Sequence, residues 1–267
     1  AGFGFRIPPG FCLTTDAFAA QVTTLPEANR LASDPGSLAD PAFRAALVAA
    51  MLAGPLTAHV ASELAEPLER LSTELRSVDA DDVRLAVRSS GVAEDGAAAS
   101  FAGLHDTELD LSADEVPAAV LRCLASLWSD RAIGYRTRHG LPLDGGAMAV
   151  VVQALVPAVA AAVVFTRHPV TGRDDQILIN AAPGLGEAMV SGVVTPDTIV
   201  VDKATRAISE FTPGDQPGGR ALTETALSEL VDLCLRAEAA FGSAVDIEAA
   251  FAADGWYLLQ ARPITTR

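Results

Sequence analysis

The residues in this chain best suited by type and spacing to do chemistry lie near its end, at Asp246, Glu248, Gln260 and Arg262. The runs 246–251 and 256–261 flank Ala253-Asp254-Gly255, whose glycine suits the left-handed position of a three-residue hairpin loop. Pairing Ala252 with Trp256 sets Glu248 opposite Gln260 and Asp246 opposite Arg262, and the period-two alternation of strands sends all four to one face. A carboxylate and an amide oxygen are hard ligands suited to magnesium, and an arginine fork grips two phosphate oxygens at once. The same spacing also suits a simple Asp246–Arg262 salt bridge on a solvent face.

Two further features bear on anion binding. Gly184-Leu185-Gly186 and Ser191-Gly192 supply glycines where a backbone can approach a ligand closely, although each taken singly reads as a structural turn. Arg88 stands at the end of a strand and the start of a Ser-, Gly- and Ala-rich segment, 89–103, that reads as a mobile loop. From there it reaches phosphates as the loop closes, or it is an ordinary surface arginine.

Stepping outward, residues 41–78 carry helical patterning with breaks at Pro55 and Pro67, and Leu64, Leu68, Leu71 and Leu75 share a face. Val83–Val87 predicts a short strand. Ser112 and Glu115 form a capping box ahead of a helix with Val116, Val120, Leu124 and Trp128 on one side, ending near Gly140. Strands are predicted at 147–156, 161–166, 176–180 and 198–203, followed by a helix through Leu227, Leu230, Val231, Cys234, Leu235 and Phe241 that Gly242 stops. The irregular mixture favours an α+β fold with a mostly antiparallel sheet over a doubly wound one, and no internal repeat is visible.

Half of the 267 residues are apolar, enough for one large domain or two lobes. The three cysteines, Cys12, Cys123 and Cys234, lie far apart outside any metal-type spacing and read as buried, reduced thiols. A formal charge of -15 without a Lys/Arg stripe argues against nucleic-acid partners. No apolar run approaches the roughly 18–20 residues that span a bilayer, and a cytoplasmic protein without a membrane partner is expected. An anionic ligand still binds such a chain where arginines and a divalent cation are placed locally.

Taken together, Val87-Arg88-Ser89-Ser90, Ala93-Glu94-Asp95, Ser100-Phe101-Ala102-Gly103, Gly184-Leu185-Gly186-Glu187, Thr195-Pro196-Asp197, Asp246-Ile247-Glu248 and Gln260-Ala261-Arg262-Pro263 match one family in order and spacing. The chain resembles the ATP-grasp nucleotide-binding domain shared by phosphoenolpyruvate synthase, pyruvate phosphate dikinase and rifampin phosphotransferase, over nearly its whole length. The resemblance implies two lobes, 1–155 with a phosphate-side loop at 88–107, and 156–267 with the hairpin at 246–262. It implies Arg88, Gly103 and Thr107 at the phosphates, and Gln153 with the adjoining backbone through Leu155 at the adenine edge. Glu248 and Gln260 are implied at magnesium and Arg262 at phosphates, with Arg88 and Arg262 as the catalytic pair.

The implied chemistry is transfer of the β-phosphoryl group of ATP to a histidine on a separate swivelling domain, on the way to pyruvate, an antibiotic or another small acceptor bound by a further domain. The family's Gly-Gly-Lys segment would lie ahead of Ala1, and the opening Ala1-Gly2-Phe3-Gly4 reads as a domain cut from something longer. His59, His105, His139 and His168 lack the glycine-rich surroundings of a phosphate-accepting histidine, and His105 replaces a residue that is commonly glutamine in the family. Ala249 and Ala250 stand where the family often has tryptophan. An ATP-grasp ligase of small-molecule biosynthesis and a non-catalytic nucleotide-binding module are the alternatives.

Overall fold

The computed structural model describes residues 4–78, 83–92, 107–143, 146–216 and 219–264. The chain divides into two compact units, one spanning Pro9–Leu155 and the other made of the residues from Val156 onward together with those ahead of Pro9.

The Pro9–Leu155 unit contains β1 (Gly10–Leu13), α1 (Thr15–Val22), α2 (Ala28–Ser33), α3 (Pro41–Ala53), α4 (Ala58–Val78), β2 (Leu85–Gly91), β3 (Thr107–Leu111), α5 (Val116–Ala125), α6 (Asp130–Arg138) and β4 (Met148–Ala154). Its sheet has the order β1-β4-β2-β3 with antiparallel pairing throughout. Leu13, Leu85, Val87, Met148, Val150 and Val152 project from one face into a core shared with Phe43, Leu47, Val60, Leu64, Leu71, Val120 and Leu124. Burying an aliphatic side chain of this size contributes about 1.5–3 kcal/mol, so this face fixes which residues are left on the other.

The capping box forms as the sequence predicts: Glu115 accepts from the Ser112 backbone N–H at 2.9 Å. Beyond it the single expected helix is two. After a 3-10 turn at Ser126–Trp128, the Ser129 hydroxyl accepts from the Ala132 N–H and starts α6 as a new helix. By contrast, α4 runs unbroken through Pro67, where a break was expected. Leu64, Leu68, Leu71 and Leu75 all pack against the core. Burial of that face outweighs the roughly 3 kcal/mol an interior proline costs.

The second unit contains β5 (Ala160–Phe165), β6 (Gln176–Pro183), α7 (Glu187–Val190), β7 (Asp197–Asp202), β8 (Ile208–Thr212), α8 (Glu224–Phe241), β9 (Val245–Ala252) and β10 (Gly255–Pro263). They form a six-stranded antiparallel sheet, β10-β9-β5-β6-β7-β8. α8 begins where the Thr223 hydroxyl accepts from the Ala226 N–H and ends at Gly242, whose φ of +68° is the left-handed stop that its type predicts. It lays Leu227, Leu230, Val231 and Cys234 on the sheet against Val164, Ile177, Ile179, Ile199, Val245 and Ile247.

The segment ahead of Pro9 belongs to this unit rather than to a lobe running from residue 1. The Leu258 N–H donates to the Arg6 carbonyl at 2.9 Å, and Phe5 packs on the core beneath Arg236. No single helix among the described residues is long and apolar enough to cross a membrane. None of the three cysteines is in a disulfide, and Cys12 is exposed, not buried as its type suggests, because it alternates with Phe11 and Leu13 to the outer face of β1.

Candidate nucleotide-binding site

In the second unit the four hairpin residues come onto one face, but not through the expected three-residue loop. The turn has two residues, not three: Gly255, at φ +117°, pairs with Ala252, and Trp256 pairs with Phe251. The reason is Trp256. A three-residue loop would turn the indole to the outer face, whereas here it is buried in the core and its Nε1–H donates to the Ala226 carbonyl of α8 at 2.8 Å. Burying a tryptophan with its N–H satisfied is a larger gain than either turn type offers.

A register shift between Leu258 and Gln260 then restores the pairs expected from sequence, Gln260 with Glu248 and Arg262 with Asp246. Without that bulge at Leu259, strict alternation from the core residue Leu258 would send Gln260 and Arg262 inward and Ala261 outward. A bulge disturbs about one ladder bond, near 1 kcal/mol, while an unpaired guanidinium in an apolar core costs several. The bulge wins, and Ala261 packs with the core.

The resulting cluster is half-buried and electrostatically incomplete. Asp246 Oδ1 and Arg262 Nη1 are both buried without a hydrogen-bond partner among the described residues, and no ion pair joins Asp246 to Arg262 there. The solvent-face salt bridge is therefore not what forms. Burial pushes the Asp246 carboxyl up to about 6, against the pull of Arg262 and with the help of the Glu248 charge. A carboxylate pair, an amide oxygen and an arginine with an unused donor are the equipment that a cation bound to phosphates would complete.

In the Pro9–Leu155 unit the outer face of the sheet carries the other expected residues. Directly paired strand positions share a face, so Cys12, Val151, Arg88 and Thr107 form one row across all four strands, while Gly10, Gln153 and Ala86 form the next. Arg88 is half-buried, Thr107 exposed, and Gln153 buried between its two small neighbours. A Cβ at Gly10 would stand 2.6 Å from the Val152 carbonyl and 2.8 Å from Gln153 Cβ, so only glycine leaves that amide its place. The Leu155 N–H already donates to the Arg84 carbonyl at 2.9 Å. Gly103 and His105, like most of the loop at 89–103, lie outside the described residues.

The glycine turns take the structural role. Gly184 and Gly192 hold φ of +76° and +74°, and a Cβ at Gly186 would touch Ala161 at 3.3 Å. The Thr195-Pro196-Asp197 segment has a structural task. Asp197 is buried and accepts from the Gly214 N–H, Gln216 Nε2 and the Ala221 N–H at 2.7–2.8 Å, pinning the chain after β8 to the start of β7.

The family model described as pyruvate phosphate dikinase, AMP/ATP-binding domain, matches residues 1–217. The chain belongs to that family. Rifampicin phosphotransferase of Streptomyces sp is 38% identical over 98% of this chain and 32% of its own length. The prodigiosin synthesizing transferase PigC of Serratia marcescens is 35% identical over 99% of the chain and 30% of its length. A probable phosphoenolpyruvate synthase of Methanothermobacter thermautotrophicus is 40% identical over 74% of the chain and 32% of its length. The chain thus spans about a third of the length of the curated relatives it matches. The family match places the Arg88 and Gln153 strands within an AMP/ATP-binding domain, and the two relatives covering nearly the whole chain extend the likeness past it to the hairpin.

Proposed function

We propose that this chain is the ATP-grasp nucleotide-binding domain of a phosphotransferase of the phosphoenolpyruvate synthase and pyruvate phosphate dikinase type. It donates the β-phosphoryl group of ATP to a histidine on a separate swivel domain, leaving AMP and with the γ-phosphate released or passed on, and the histidine passes the phosphoryl group to a small-molecule acceptor held by a third domain. The observation that carries this reading is the half-buried hairpin face, where Asp246 and Arg262 each keep a buried polar atom unpartnered beside Glu248 and Gln260. The length of the relatives leaves room for the other two domains.

In this reading Glu248 and Gln260 hold magnesium, whose fit rests on their oxygens being adjacent partners on one face. Bound there, the ion would offset phosphate charge. Arg262, Arg88, Gly103 and Thr107 serve the phosphates, and Gln153 with the Leu155 backbone serves the adenine edge. Phosphoryl transfer needs positioning and charge neutralisation more than covalent help, which two arginines supply. The Leu155 N–H is already engaged, so its carbonyl is the group left for the base.

A second reading, an ATP-dependent coupling enzyme of natural-product synthesis, is favoured by the likeness to the prodigiosin synthesizing transferase. Product analysis separates them: the first releases AMP, whereas a ligase releasing ADP would support the second.

The nucleotide site itself is tested by melting the chain with and without magnesium-ATP beside Arg262→Ala. Ligand at about 100 times Kd adds roughly 2.7 kcal/mol, a rise of several degrees for a domain of this size. The rise should need magnesium and shrink in the variant. An unmoved melting temperature at millimolar nucleotide overturns the proposal.

A further inference from the structure

The sheet register extends the candidate site beyond the hairpin. Gln260 pairs with Glu248, Glu248 with Val163, Val163 with Asn180, and Asn180 with Thr198, so one row crosses five strands on a single face. That face is the one turned away from α8, since Val164, Ile179, Ile199 and Ile247 alternate to the core. Asn180 is half-buried, and the Thr198 hydroxyl donates to its Oδ1 at 2.9 Å.

This bond fixes the amide. With Oδ1 engaged by Thr198, the two N–H donors of Nδ2 are turned the other way, and they have no partner among the described residues. Two strand spacings, about 9.6 Å, separate Asn180 from Glu248. A single magnesium-bound polyphosphate covers that span. The apolar Val163 between them contributes no competing hydrogen bond.

We infer that Asn180, oriented by Thr198, is a further phosphate-binding residue, donating Nδ2–H to an oxygen of the polyphosphate held over the Glu248–Gln260 pair. The inference rests on the nucleotide site proposed above. Neither residue stands out in the sequence, because a lone Asn in a strand has no local signature; only the register joins it to the hairpin.

Asn180→Asp isolates the donor. The carboxylate keeps the shape of the side chain and still accepts from Thr198, but it replaces the amide donor with a negative charge facing phosphate. Calorimetric titration of wild type, Asn180→Asp, Thr198→Val and Arg262→Ala with magnesium-ATP and with AMP, alongside unliganded melts, reads the outcome. A hydrogen bond to a charged group is worth about 1.5–3 kcal/mol, so Asn180→Asp should weaken magnesium-ATP binding tenfold or more. AMP, which lacks the polyphosphate, should lose much less. Thr198→Val leaves Asn180 in place but unfixed and should show a smaller loss in the same direction, which covers the case of an unstable Asp variant. If wild type binds and Arg262→Ala weakens it while Asn180→Asp binds like wild type, this inference fails and the nucleotide site stands. Equal losses for ATP and AMP also overturn it. A wild-type chain that binds no nucleotide overturns both.

Discussion

The four-stranded and six-stranded sheets each bury one face and present polar side chains on the other, but they reach that arrangement differently. In the four-stranded sheet, β4 runs Met148–Ala154 without a shift against both neighbours, its outer positions pair directly with Arg88 and Gly10, and the one irregularity falls between β2 and β3, at Leu85 and Val87. In the six-stranded sheet, Gln260 and Arg262 reach the outer face only through an irregularity at Leu259. The difference teaches that Arg88 and Gln153 depend on strand phase alone, whereas Gln260 and Arg262 depend on where a single extra residue is accommodated.

The comparison breaks most visibly under deletion of Val151. Removing one residue from a strand without a bulge turns one half of β4 over, taking either Met148 and Val150 or Val152 and Ala154 from the core. At about 1.5–3 kcal/mol for each large side chain, together with the ladder bonds lost at the cut, the loss reaches the lower end of a domain's whole stability. The deletion variant should show no cooperative melt by circular dichroism.

A middle-sized effect is expected from Asp246→Asn. The folded Asp246 carboxyl sits at about 6, above its ordinary 3.8, so the folded state binds its proton more tightly than the unfolded chain does. The sign follows. Below about pH 4 the group costs nothing; as pH rises through 6 its ionisation in a desolvated place costs the unliganded chain stability, on the order of 2 kcal/mol. Asparagine removes that cost. The variant should melt higher than wild type at pH 7.5 and at the same temperature near pH 4, and a gain independent of pH would contradict the assignment.

The smallest effect should come from deletion of Leu259. The pairs 249–258 and 248–260 become consecutive, Trp256 and Ala261 still face α8, and Arg262 keeps its side. What is lost is the packing of Leu259 beside Val156 and Ala250, about 1 kcal/mol. Cooperative melting and any magnesium-ATP response should survive. Loss of the response with the fold intact would show that the bulge shapes the site and is not merely tolerated by it.

Features with a local physical cause were legible in the sequence. The Ser112–Glu115 box and the Gly242 stop both rest on short-range geometry. Features set by distant packing were not. The two-residue turn and the bulge exist because Trp256 finds Ala226 in α8, thirty positions away in sequence. Four residues at Gly10–Leu13 are too few for alternation to declare a strand, and the exposed Ile208–Thr212 run has little apolar signal. For the candidate site, the hairpin and Arg88 were readable from residue type, whereas Asn180 and the Asp197 anchor acquire meaning only across the sheet.

The Leu258–Arg6 bond has a consequence for the order in which the molecule is made. Because residues ahead of Pro9 join the unit that ends with β10, the Pro9–Leu155 unit is an insert within a discontinuous partner. During synthesis the insert emerges with all of its strands before β5 is translated, so it is able to fold first. Its host must keep Phe5 and Arg6 waiting until the last strand leaves the ribosome.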